Sequence, residues 1–170
     1  MSFSIDATEL QWVNGDKDDP LDLCLHGRVV VHIGDRTLED PDDVLSVSAA
    51  ALYLLRSLSE DHIAGEGEHM IPHCGRFMIA DDDLQNVTIA GCPYGLDWSV
   101  RHQDGAVVLS LNDGTEERVS LDEYREEVFR FADQIEAYYR SCSDKEFCDD
   151  FDGKGYAAFW NEWRRRRGRQ

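Results

Sequence analysis

The stretch that decides the fold runs from Leu96 to Ser120, LDWSVRHQDGAVVLSLNDGTEERVS. Apolar residues alternate with polar ones in each of three segments: Trp98 and Val100, then Val107, Leu109 and Leu111, then Val119. Side chains on a strand point to opposite faces in turn, so a period of two marks half-buried strands. Asp104-Gly105 and Asp113-Gly114 separate the segments, and Asp-Gly readily adopts the positive φ that a tight hairpin turn demands. The stretch therefore predicts an antiparallel β-meander. Upstream, Val87 and Ile89 with the turn Cys92-Pro93-Tyr94-Gly95 predict a strand leading into it, and Phe77-Met78-Ile79-Ala80 predicts a short buried strand closed by Asp81-Asp82-Asp83.

Downstream the period changes. Ser120 and Glu123 have the spacing of a capping box, and Leu121, Tyr124, Val128, Phe131, Ala132, Ile135 and Tyr138 or Tyr139 then recur at helical spacing as one stripe. A last helix is expected over about residues 156–167, with Tyr156, Phe159, Trp160 and Trp163 on one face. Toward the N-terminus, Phe3 and Ile5, then Leu21, Leu23 and Leu25, then Val29, Val30 and Val31 read as strands, with a bulge or tight hairpin at Gly27. Asp40 is placed to cap a helix with Pro41 in its first position and Asp42 and Asp43 at the positive end of its dipole. Ser59 to His69 reads as a loop. The expectation is a single α+β domain over residues 1–170: an antiparallel sheet made from the N-terminal strands and the central meander, with three helices and the longest across one face.

Charge narrows the partners. Asp and Glu number 35 against 17 Lys and Arg, for a net charge of −18. The imbalance is uneven, because residues 155–170 hold five arginines and one glutamate, +4, which leaves −22 on residues 1–154. Binding to nucleic acid depends on neutralising phosphates with Lys and Arg, so this composition argues against DNA or RNA and for a basic protein partner. Arginine outnumbers lysine 14 to 3, and acidity with few lysines also suits life in high salt, where the charge serves solubility alone. No apolar run approaches the ~20 residues of a membrane-spanning helix, and the start Met1-Ser2-Phe3-Ser4-Ile5-Asp6 has no leader pattern. A cytoplasmic protein that engages no membrane is expected. Five cysteines at irregular spacings, Cys24, Cys74, Cys92, Cys142 and Cys148, then read as reduced thiols.

The most site-like segment holds His62, Glu66, Glu68, His69, His73 and Cys74. His69 and His73 are four apart and Cys74 adds a thiolate donor, a set that suits zinc. Pro72 lies between the histidines and pushes its predecessor out of helical geometry, so the bland reading is solvated loop histidines and a buried thiol. His73 and Cys74 could also serve as base and nucleophile, but neighbours on a strand point to opposite faces. His26, His32 and His102 lie in strands and read as packed residues, and Asp81-Asp82-Asp83 lacks the spacing of a calcium loop. Trp160, Trp163, Arg164 and Arg165 combine residue types that dominate binding hot spots. Their bland reading is an aromatic core face followed by a basic tail, residues 164–170, that complements the helix dipole. With no catalytic motif and no cofactor implied, the expected function is a non-enzymatic acidic protein-binding module, of which a neutraliser of a basic toxin nuclease is one type. The alternatives are a metal-dependent or thiol enzyme at His69–Cys74 and a nucleic-acid mimic.

Overall fold

The computed structural model describes residues 2–168. Its first strands are β1 (Phe3–Gln11), β2 (His26–Ile33), β3 (Arg36–Glu39) and β4 (Leu45–Ser46). They form one antiparallel sheet in which β2 pairs with the other three. Helix α1 (Val47–Arg56) follows, then the short strands β5 (Ile71–Pro72), β6 (Phe77–Ala80), β7 (Val87–Ala90) and β8 (Gly95–Leu96). β5 pairs with β8, and β6 with β7. The meander is β9 (Ser99–Gln103), β10 (Ala106–Ser110) and β11 (Glu116–Ser120), and the chain ends in α2 (Leu121–Ser141) and α3 (Asp150–Arg167).

The fold is α+β, with three helices and antiparallel sheets. Both Asp-Gly turns close their hairpins, Asp104 and Gly105 at φ 48° and 75° and Gly114 at 88°. The capping box is formed: the Ser120 hydroxyl accepts from the Glu123 backbone N–H, and the Glu123 carboxylate accepts from the Ser120 N–H. Tyr124, Val128, Phe131, Ala132 and Ile135 are fully buried along the α2 stripe, opposite Trp98, Val107 and Leu109 of the meander in one hydrophobic core.

Several local expectations are replaced by other geometry. The N-terminal strands and the meander form separate sheets, which meet at their hairpin ends where Arg36 pairs with Asp113 at 3.0 Å and donates to Thr115. Val87 and Ile89 pair with β6 rather than joining the meander. β6 itself is only half-buried, with Met78 inward and Phe77 and Ile79 exposed. Leu21 to Leu25 is not a strand, because Asp19 and Asp22 take the backbone N–H groups of Leu21 and Cys24 and so compete with any ladder. The first helix starts at Val47 and not at Asp40. Asp40 and Asp43 instead accept from the N–H groups of Asp42 and Val44, and the chain stays extended through Leu45 and Ser46 to pair with β2. The bulge sits opposite Gly27, on β1, where the register slips between Thr8 and Gln11 and Glu9 takes φ 51°.

Helix α3 begins at Asp150, earlier than the aromatic pattern implies, because the Asp149 carboxylate accepts from the Asp152 N–H. Its interior Gly155 has a packing cause. A Cβ there would stand 2.1 Å from the Met78 carbonyl oxygen, so only glycine lets the helix lie against β6. A second device fixes α2. Glu127 accepts from the Ile5 N–H at 2.9 Å, Arg130 donates to the Ile5 carbonyl, Gln134 to the Ala7 carbonyl at 2.8 Å and Tyr138 to the Leu10 carbonyl at 3.1 Å. These four residues lie along one ridge of the helix, and they bind the edge of β1 that faces away from β2.

Two stability outcomes follow. Phe131→Ala is expected to cost about 3–5 kcal/mol in chemical denaturation, the usual loss for a buried phenylalanine; a loss below about 1 kcal/mol would mean that the stripe does not face the core. Gly155→Ala, a change worth ~1 kcal/mol of stabilisation in an ordinary helix interior, is expected here to lower the denaturation midpoint. A raised midpoint would show that α3 does not press on β6.

Candidate functional site

Glycine builds the chemically richest cluster. The β5–β8 pairing lays residues 91–95 against residues 71–74, and the His73 N–H donates to the Tyr94 carbonyl at 2.7 Å. The approach is too close for side chains: a Cβ on Gly91 would stand 2.0 Å from the Cys74 carbonyl oxygen, and one on Gly95, at φ 150°, 2.0 Å from that of Ile71. The result is that Cys92 lies beside Cys74. The two sulfurs are 2.7 Å apart with Cys74 as donor, and the Cys92 N–H donates to the Cys74 sulfur at 2.9 Å. His73 completes the group, its Nε2–H donating to Asp43 Oδ2 at 2.6 Å while its ring lies beside the two sulfurs.

β5 ends at Pro72, so His73 and Cys74 escape the strand alternation that was expected to part them. The chain bends there and both side chains reach the same cluster. His69 does not join it. The donor atoms of His73, Cys74 and Cys92 lie within 4.8 Å of one another, whereas His69 is half-buried with no hydrogen-bond partner for its Nδ1 among the described residues. His62 is engaged elsewhere, donating to Asp97 at 2.7 Å. Asp97 also accepts from the N–H groups of Gly65 and Met70, and so ties down the loop between α1 and β5.

Electrostatics divides the two thiols. Burial, followed by the hydrogen bond to Cys92, pushes Cys74 up to about 11. Cys92 is lowered from the ordinary thiol range by the hydrogen bond from Cys74 and then by His73. The histidine is raised by Cys92 and by Asp43, and the carboxyl of Asp43 is lowered by the Val44 N–H and then by His73. His26 lies within the field of His73 and Asp43; burial lowers its pKa, and its Nδ1 has no hydrogen-bond partner among the described residues. Chemically, the sequence Asp43–His73–Cys92 is an oriented imidazole beside a thiol that ionises easily, with a second thiol in contact.

The C-terminal arginines have partners within the fold. Arg165 donates to the Gln85 carbonyl at 2.7 Å and to Asn86, and Arg164 donates to Asn161. Arg166 bridges Glu60 and Glu162, and Arg167 pairs with Asp133 at 2.8 Å while lying over the Phe129 ring. Trp163 is fully buried and Trp160 half-buried, packed edge-on to Tyr139 and Phe159. Arg169, also part of the expected basic tail, lies outside the described residues.

A different surface stands open. The outer face of the β6–β7 hairpin carries Phe77, Ile79, Thr88 and Ala90, all exposed, with Ile79 paired opposite Thr88. On one side Thr88 borders a cleft whose wall holds Glu60, Asp61, Glu66 and Glu68 together with Arg56 and His62. On the other, Ile79 lines a groove with Asp81, Asp82, Lys154 and the exposed Phe151.

No protein family, no curated relative and no solved structure matches the chain. No helix among the described residues is long and apolar enough to cross a membrane.

Cys92 is expected to react with iodoacetamide at pH values below the ~8.5 of a free cysteine, with Cys74 lagging behind it. Site-resolved mass spectrometry across pH checks this. His73→Ala should move the Cys92 profile upward, and an unmoved profile would remove the imidazole from the account.

Proposed function

We propose that this chain is an acidic protein-binding module that engages a basic protein through the outer face of the β6–β7 hairpin. The observation that carries the reading is the make-up of that face: exposed apolar side chains at Phe77 and Ile79, with Phe151 of α3 beside them, flanked by clefts in which carboxylates outnumber the single Arg56 and Lys154. Phe77 is 57% exposed and Phe151 48%, unusual for large apolar side chains on a surface as charged as this one. An apolar centre with a charged rim is the anatomy of a protein interface. The rim selects the sign of the partner, because clustered carboxylates steer a basic surface into place and repel an acidic one. The fold supports the same sign. Two arginines of the last helix, Arg166 and Arg167, are paired with acids of the protein itself, and the net charge of −18 sets the sign of the surface as a whole. A nuclease toxin is one basic protein of the required kind.

The test uses wild-type protein and two surface variants, Ile79→Lys and Glu66→Gln combined with Glu68→Gln, as baits at low salt in a lysate of the native host. A captured protein is then purified and its affinity for each bait measured. The expected partner is basic, binds at least tenfold more weakly to Ile79→Lys, and loses affinity steeply between ~50 and ~500 mM salt, since exposed charges are screened within a few ångströms at that strength. Failure to retain any partner, or an affinity that ignores both variants, overturns the reading and leaves the acidity as an adaptation of solubility.

A further inference from the structure

We propose that Cys74 and Cys92 form a thiol–disulfide exchange site, with Cys92 as the attacking thiolate, Cys74 as the resolving thiol and His73, oriented by Asp43, as the group that holds and returns the proton. The substrate class is an accessible disulfide. The inference is independent of the docking face, since it uses none of that face's side chains.

Distance favours exchange over the metal binding that three such donors also allow. Two thiolates on one tetrahedral zinc, each at about 2.3 Å from the ion, stand about 3.8 Å apart, so the sulfurs here, at 2.7 Å, would have to spread by about an ångström. A disulfide is about 2.05 Å long, and the pair needs to close by less than that. The backbone already holds the two cysteines side by side. Gly91 already lies against the Cys74 carbonyl, and the Cys92 N–H already points at the Cys74 sulfur. Exposure agrees, because both cysteines are half-exposed beside an exposed Pro93 and Tyr94, whereas Cys24 is sealed in the core.

The steps balance. The Cys92 thiolate attacks one sulfur of the substrate disulfide, whose S–S bond breaks, and the departing thiolate takes the proton carried by the His73 imidazolium. A mixed disulfide remains on Cys92. Cys74 then passes its proton to the neutral His73 and attacks the Cys92 sulfur; the Cys92–substrate bond breaks, and the second departing thiolate receives that proton. One substrate disulfide has been reduced to two thiols, and the Cys74–Cys92 dithiol has been oxidised to a disulfide. In reverse the same site donates a disulfide to a dithiol.

The experiment incubates the reduced full chain with 2-hydroxyethyl disulfide, an uncharged probe, and follows it by intact and peptide mass spectrometry. The expected product is a Cys74–Cys92 linked peptide with two thiols lost. Cys74→Ser is expected to stop at the mixed disulfide on Cys92. Cys92→Ser should react at least tenfold more slowly and leave no adduct on Cys74, and His73→Ala should slow the wild-type reaction about tenfold near pH 7 yet give the same linkage. The proposal is overturned if no Cys74–Cys92 linkage forms in the wild-type chain. It is equally overturned if the purified protein carries one equivalent of zinc whose removal is needed before either thiol reacts, for the three donors would then be a metal site.

Discussion

The hydrogen bond from the Ile5 N–H to Glu127 is the contact on which the arrangement of the layers rests. β1 is an edge strand, and an edge left bare offers unpaired N–H and C=O groups to any other strand. Here a helix stands in for the missing neighbour. Glu127, Arg130, Gln134 and Tyr138 advance along α2 at about the pace at which Ile5, Ala7 and Leu10 advance along β1, so four backbone groups of that edge find a side chain. The register of helix against sheet is thereby fixed, and with it the slot in which α1 is enclosed by α2, α3 and the first sheet. Glu127 is buried yet held ionised: burial raises its pKa, but Arg130 and the Ile5 N–H outweigh that and lower it.

Glu162 does the corresponding work for α3. Almost fully buried, it accepts from Arg56 of α1 at 2.8 Å, from the Val87 N–H at 3.0 Å and from Arg166. One carboxylate thus joins α3 to a second helix and to the β6–β7 hairpin. Removing one partner from such a group typically costs several kcal/mol, because a charge is left buried without compensation. The hairpin whose outer face is open is therefore anchored from behind, by Glu162 and by the contact of Gly155 with Met78.

What could be read from the sequence was what local chemistry alone determines. The two Asp-Gly turns, the Ser120–Glu123 box and the α2 stripe need no distant residue to explain them, and all are present. The failures have a common cause in side chains that act on backbone. Asp19, Asp22, Asp40 and Asp43 each bind a nearby N–H group, which turned an expected strand at Leu21–Leu25 and an expected helix start at Asp40 into irregular chain. The fully buried Trp12 escaped notice because the strand before it carries a bulge and the acidic turn after it conceals the pattern. At the thiol cluster the sequence points to His73 and Cys74, but Cys92, 18 residues on, reads as part of a turn and as one of five reduced thiols, with nothing to join it to them. Its signal was the pair Gly91 and Gly95 around it, glycines whose purpose is close approach to another segment, and nothing local says which segment that is.

Charge links the two surfaces that carry the functional readings. With a net charge of −18, the field around the molecule opposes the approach of anionic small disulfides and favours those carried on a neutral or basic molecule. The proposed exchange site lies near that face, since Cys92 follows the end of β7 by two residues, and the outer face of that hairpin bears the exposed apolar side chains. A basic protein drawn to the carboxylates on either side of the hairpin would bring its surface close to the Cys92 sulfur. Attraction by the acidic surface would thus favour a disulfide carried on a basic molecule over a small anionic one.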